Sequence, residues 1–143
     1  MSLLELCDPD PPSVTVEASV ADGIRTMLDQ RVGAVGVVDR EGRIAGIFTE
    51  RDVLRKLSLS GRDPASTPVR EVMTTAVEMA TLATTPVEAL ATMVERHYRH
   101  LPVVGDGGKF LGMLSIRNVL EAKIDELSRQ LGSAEKRIRE ETA

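Results

Sequence analysis

The chain has 143 residues, the length of one compact domain, and its 42% apolar content with one Tyr, two Phe and no Trp points to a core of Val, Leu, Ile, Met and Ala. A net charge of −4 without a sustained Lys/Arg run argues against a sequence-independent grip on nucleic acid. No stretch reaches the roughly 18 uninterrupted apolar residues of a membrane helix, the first residues lack the basic-then-apolar order of a signal peptide, and the single cysteine, Cys7, permits neither an internal disulfide nor a multi-cysteine metal site. A cytoplasmic protein is expected.

In chain order, the apolar and acidic start is followed by Asp8-Pro9-Asp10-Pro11-Pro12, which forbids regular structure. Val14-Thr15-Val16 alternates as a short strand. Ser19 and Asp22 then form a capping box for an amphipathic helix whose stripe is Val20, Ile24, Met27 and Leu28. Gly23 weakens that helix by about 1 kcal/mol relative to Ala. Gly33 to Val38 and Arg43 to Phe48, separated by the polar tip Asp39-Arg40-Glu41-Gly42, read as a hairpin. Thr49 opens a second helix with Val53, Leu54 and Leu57 as its apolar face, and Ser58 to Pro68 is a polar linker.

The pattern then returns. Thr85 caps, Pro86 takes the first helical position, Glu88 closes the box, and Leu90, Met93 and Val94 form the stripe. His100 to Val104 and Phe110 to Leu114 flank the tip Gly105-Asp106-Gly107-Gly108, with Pro102 suited to the beginning or edge of a strand. An offset of 66 aligns Thr15–Leu54 with Thr81–Leu120 without a gap, with ten identities in forty pairs, and Glu5-Leu6-Cys7 falls on Glu71-Val72-Met73. The chain is a duplication of a mixed α/β unit, β-α-β-β-α, too small to be comfortable alone, so the halves are expected to pack on each other and leave a cleft at their junction. The expected divisions are residues 8–64, 73–124 and a helical tail at 125–143. In the tail, Leu120, Ile124, Leu127, Leu131, Ala134 and Ile138 recur at alternating spacings of four and three, a coiled-coil seam; a solitary helix laid on the body is the alternative.

Thr49 and Asp52 lie three apart at a helix start, which is also the spacing of a plain capping pair. They follow a strand ending in Gly46, and the arrangement recurs as Gly112, Ser115 and Asn118. A carboxylate there can accept both hydroxyl protons of a ribose, while the helix start and Arg51 favour a nearby anion. His97 reads as a solvated residue at a helix C-terminus and His100 as a strand-entry residue facing the cleft. One Cys and two His make a zinc site improbable. Ser115 lacks the partners of a nucleophile, and no catalytic base, nucleophile or metal set is evident, so an enzyme is not expected.

The pattern Gly-apolar-apolar-Thr/Ser-x-x-Asp closing a duplicated β-α-β-β-α unit, together with His100-Leu101-Pro102-Val103-Val104-Gly105, resembles the CBS domain pair, or Bateman module, over about Asp8 to Ile124. The resemblance implies two units about a pseudo-twofold axis, two clefts for adenosine-containing ligands such as AMP, ADP, ATP or S-adenosylmethionine, and a sensor that is not a catalyst; with the heptad tail a homodimer is expected, and a regulated protein in another polypeptide is compatible with it. It makes Asp52 the ribose ligand with Thr49 beside it, Ile47 a border of the base, and Thr74, Val77, Met79, Tyr98, Arg99 and His100 the opposite wall, with Arg51 and Arg99 on phosphate. The related cleft would use Ser115 and Asn118 with Val32, Gly33 and Ala34. Because Asn118 has lost the charge and an acceptor oxygen, the Asp52 cleft is expected to bind better and the Asn118 cleft weakly or not at all. The rival expectation is a dimerisation or scaffold protein with both clefts empty.

Overall fold

The computed structural model describes residues 2–8 and 10–142; Met1, Ala143 and Pro9 of the proline-rich stretch lie outside the described residues. The first unit comprises β1 (Ser13–Thr15), α2 (Val20–Gln30), β2 (Ala34–Val38), β3 (Ile44–Thr49) and α3 (Glu50–Asp52), preceded by α1 (Leu3–Leu6). The second comprises β4 (Ala80–Thr81), α4 (Pro86–Arg96), β5 (His100–Val104), β6 (Phe110–Ser115) and α5 (Ile116–Thr142). Each makes a three-stranded sheet in which the middle strand pairs parallel to the first and antiparallel to the third, and both hairpins carry an irregularity at the same repeat position, Val37/Val38 and Val103/Val104.

Local chemistry sets the helix starts. Ser19 accepts from the Asp22 amide at 3.1 Å while Asp22 returns a bond to the Ser19 amide at 3.2 Å, and Thr85 accepts from the Glu88 amide at 3.2 Å. The expected apolar stripes are only partly buried. Val20, Met27, Met93 and Leu57 face the core, but Leu28 and Leu54 are each 71% exposed and Val94 is 59% exposed. The correction has a geometric reason at Leu54, because α3 does not continue as an α-helix: Val53–Leu57 winds as a π-helix, whose wider turn changes which side chains share a face. Gly23 is explained by packing, since a Cβ there would lie 2.8 Å from the Phe48 ring. Its repeat counterparts are Ala89 and Leu114, so a small–large pair in one unit becomes an intermediate pair in the other, all of them buried. Pro102 sits in the middle strand, yet β4 begins only opposite Val103, so the proline lies beyond the end of its neighbour.

The short leading segments cross over. Leu3 belongs to the core of the second unit with Met93, Leu101, Leu114 and Val119, whereas Val69 and Val72, at the repeat-equivalent place, complete the core of the first unit around Phe48. Added Cβ atoms make the equivalence plain: at Gly112 the atom meets the Cys7 side chain at 2.9 Å, and at Gly46 it meets Met73 Sδ at 3.0 Å. A third cluster joins the units, with Ala34, Ile47 and Met113 buried between the sheets and Ile44, Phe110 and Val77 beside them. Ile47 and Met113, like Ile44 and Phe110, are repeat partners, so the junction is built about a pseudo-twofold axis. Phe110 presses so closely on the first sheet that a Cβ at Gly36 would lie 2.5 Å from its ring. Among the described residues no helix is long and apolar enough to cross a membrane.

Candidate functional site: a groove between the two units

The strand-to-helix junction of the first unit is closed by its own side chains. Asp52, 5% exposed, accepts from the Thr49 amide at 3.0 Å through Oδ2 and from the Thr74 hydroxyl at 2.8 Å through Oδ1, and Lys56 Nζ stands 3.1 Å from the same Oδ1. Lys56 also donates to Thr74 Oγ1 and to the Val72 carbonyl, each at 3.1 Å. Thr74 is held by two backbone bonds to Ile47, at 2.9 and 2.8 Å. Linker, helix start and strand are thus one clasp, and the carboxylate expected to receive a ribose is engaged by protein groups. A small cavity of about 30 Å³ on this side is bordered by Ile47, Val77, Met79 and Pro102 and by neither Thr49 nor Asp52. Arg51 instead donates to the His97 carbonyl at 3.3 Å, closing the end of α4.

The related junction lacks the clasp. Asn118 stands where Asp52 stood, Ala122 where Lys56 stood and Asp8 where Thr74 stood. The Asn118 amide donates to Ser115 Oγ at 3.1 Å and its Nδ2 donates to the Leu6 carbonyl at 3.1 Å, the same carbonyl position that Lys56 reaches in the other unit. With one short amide in place of a lysine and a carboxylate, space remains. A groove of about 950 Å³ opens between the units, within the range of about 300 to 1,000 Å³ usual for small-molecule sites. Ser115, Asn118, Arg99 and His100 line one side; Val32, Gly33, Glu50 and Arg31 line the other.

The sequence-derived residues are therefore redistributed. Ile47, Val77 and Met79 share the small cleft; Thr49, Asp52 and Thr74 form the closed network; Arg99 and His100 join Val32, Gly33, Ser115 and Asn118 in the large groove. Tyr98 packs against the core of the second unit, and Ala34 is fully buried at the junction. Arg31, Arg117, Glu50, Glu121 and Lys56 were not singled out by motif. The repeat offered a signal for some of them, since Arg117 is the copy of Arg51 and Arg31 the copy of His97, these last being the two non-glycine residues with left-handed backbone among the described residues, at φ 55° and 59°. The groove mixes three arginines, Arg31, Arg99 and Arg117, with Asp8, Glu50 and Glu121 and with an aliphatic floor that includes Ile24, Met27 and Met113. His100 stands over Gly33, where an added Cβ would meet its ring at 3.0 Å and the Glu50 carboxylate at 3.4 Å. Burial holds the His100 pKa below its ordinary value, Glu50 opposing and Arg99 reinforcing the shift. The lone cysteine is unsuited to nucleophilic work, because burial raises the Cys7 pKa to about 11. No group of three or more His, Cys, Asp or Glu among the described residues is placed to hold a metal.

The model of the CBS domain matches residues 4–59 and again 69–125. The chain belongs to the CBS domain family. It is a CBS pair, of a regulatory module family. A 17.7 kDa protein of Acidianus ambivalens is 34% identical over 90% of this chain and 74% of its own length. The CBS domain-containing protein CBSX3 of Arabidopsis thaliana is 36% identical over 82% of this chain, which spans 58% of that relative. The solved structure of a protein with CBS domains from Burkholderia ambifaria MC40-6 is 36% identical and superimposes with a TM-score of 0.76, covering 87% of this chain and 95% of that one.

Proposed function

We propose that this CBS pair is a non-catalytic regulatory module that binds an adenosine-containing ligand, AMP, ADP, ATP or S-adenosylmethionine, in the groove beside Ser115 and Asn118. The observation that carries the reading is the groove itself, a roomy opening between the units in which three arginines face a polar helix start and an aliphatic floor. Asn118 spends its Nδ2 on Leu6, so its Oδ1 is the acceptor for a ribose hydroxyl, with the Ser115 hydroxyl beside it. Arg99, Arg31 and Arg117 meet phosphate or carboxylate groups, and Val32, Ile24 and Met113 meet the base. The cleft at Thr49, Asp52 and Thr74 takes a ligand only if the Lys56 clasp opens. A ligand touching both units biases their arrangement by its differential affinity for the alternatives, and a protein partner reads that bias.

A second copy of the chain belongs to this reading. Leu28 and Leu54 in the first unit and Val94 and Leu120 in the second occupy equivalent repeat positions and are all exposed, a repeated apolar set that self-association would cover. The test is calorimetric titration with each of the four ligands. Heat is expected with at least one, with Arg99→Ala weakening it by about tenfold or more, as for a lost charge-assisted hydrogen bond, and with Asp52→Ala leaving it in place. Binding removed by Asp52→Ala but untouched by Arg99→Ala or Asn118→Ala would move the site to the other cleft; silence with all four would end the nucleotide reading.

A further inference from the structure

The last element of the fold has an apolar face that the described residues of this chain leave uncovered. α5 runs from Ile116 to Thr142, and along it Leu120, Ile124, Leu127, Leu131 and Ile138 are between 45% and 64% exposed. Their spacing assigns a heptad register: Ile124, Leu131 and Ile138 take the first core position, Leu120, Leu127 and Ala134 the second. Two of the three first positions are Ile and two of the three second positions are Leu, with Leu131 and Ala134 the departures, and Ile at the first with Leu at the second is the combination that favours two parallel strands. Gly132 falls outside both core positions and has open space around it, so it costs helix stability without interrupting the seam.

The flanking charges choose between orientations. If two such helices pair antiparallel with all six core positions in layers, Leu120 lies level with Ile138 of the second copy, Lys123 faces Arg137 and Glu121 faces Glu135, two like-charge pairs on each side of the seam. If they pair parallel, Lys123 meets Ser128, Gln130 meets Glu135 and Arg137 meets Thr142, and no like charges are opposed. We infer that α5 forms a parallel two-stranded coiled coil with the α5 of a second copy of this chain. The inference rests on the dimer reading above and deepens it, because Leu120 belongs both to the seam and to the repeated apolar set on the body. Parallel pairing at Leu120 therefore places second unit against second unit. It also puts the groove and the dimer contact on one rod: Arg117, Asn118 and Glu121 line the groove within the first turns of the helix that carries the seam.

The experiment is disulfide trapping in the full chain. With Ile138→Cys, parallel strands bring the two thiols into one core layer, whereas antiparallel strands hold them 18 residues, or about 27 Å, apart along the rod. Under mild oxidation the variant is expected to yield at least tenfold more covalent dimer than the unmodified chain carrying Cys7 alone, and adding Leu127→Glu and Leu131→Glu is expected to remove it. Sedimentation of the reduced protein separates the two failures. A dimer that gives no trapped species overturns the coiled coil and leaves the dimer standing, while a monomer overturns both. Covalent dimer formed only when Leu120→Cys chains are mixed with Ile138→Cys chains, or trapping that survives the two glutamates, also overturns the parallel coil.

Discussion

Asp52 and Asn118 occupy one position of a repeat, and a single change of side-chain type is accompanied by opposite arrangements around it. The carboxylate can accept from several donors at once, so it gathers Thr49, Thr74 and Lys56 into a closed knot. The amide has one donor group committed to Leu6 and draws in no lysine. Asp52→Ala removes the acceptor of the Thr49 amide and of the Thr74 hydroxyl proton, while the ion pair with Lys56, whose side chain is 42% exposed, adds little because solvent screens it. A loss of about 2 kcal/mol is expected from the cap and the buried bond, read as a lower urea midpoint at unchanged slope. His100 gives a second expectation. Its pKa is lowered by burial, so as pH falls through the ordinary histidine range near 6.5 the unfolded chain binds the proton before the folded one does. Stability tied to this residue is present above that range and falls as pH drops through it, levelling once the folded value is passed. Urea midpoints measured at pH 7.5 and pH 5.5 should differ more for the parent than for His100→Gln; equal differences would refute the assignment.

The elements themselves were largely legible in the sequence. Caps, hairpin tips and the 66-residue offset are local chemistry, and they located both sheets and both long helices of the repeat. What depends on distant partners was not. Leu28 reads as core by its spacing from Val20 and Ile24 yet is exposed, because a helix face buries only what another element covers. Leu54 was displaced by a π-helical turn that no composition rule announces. The closure of the Asp52 cleft depends on Lys56 reaching Val72 and Thr74, contacts across 16 to 18 residues that the Gly-x-x-Thr-x-x-Asp pattern does not contain and that Ala122 cannot make in the other unit. The crossing of α1 to the second unit was foreshadowed only by the alignment of Leu6 with Val72. It carries its own expectation: Leu3→Ala, at the far end of the chain from the core it fills, should cost about 2 to 4 kcal/mol. The accompanying loss of hydrogen-exchange protection should be concentrated in β5, β6 and α4, and protection lost equally in β2 and β3 would contradict the crossing.

At the scale of the molecule, the duplication explains both the symmetry and its breaking. Repeat partners meet at the junction as Ile47 with Met113 and Ile44 with Phe110, so the two sheets share a core that neither builds alone. Three departures from symmetry, Asn118, Ala122 and Asp8 on one side against Asp52, Lys56 and Thr74 on the other, set the two clefts apart. One side has become a fastening and the other an opening.

The exchange of leading segments also orders events during synthesis on the ribosome. The first sheet finds its missing piece, Val69 and Val72, soon after its own strands emerge, so it can close while the second half is still being made. Leu3 and Leu6 are translated before the first sheet and must wait for β5, β6 and the start of α5, which carry the core they join. Until those strands appear α1 is an undocked apolar segment, and its docking stitches residues ahead of the first sheet to the core of the second unit. The two halves are in this way joined by α1 and by the linker as well as by the core between their sheets.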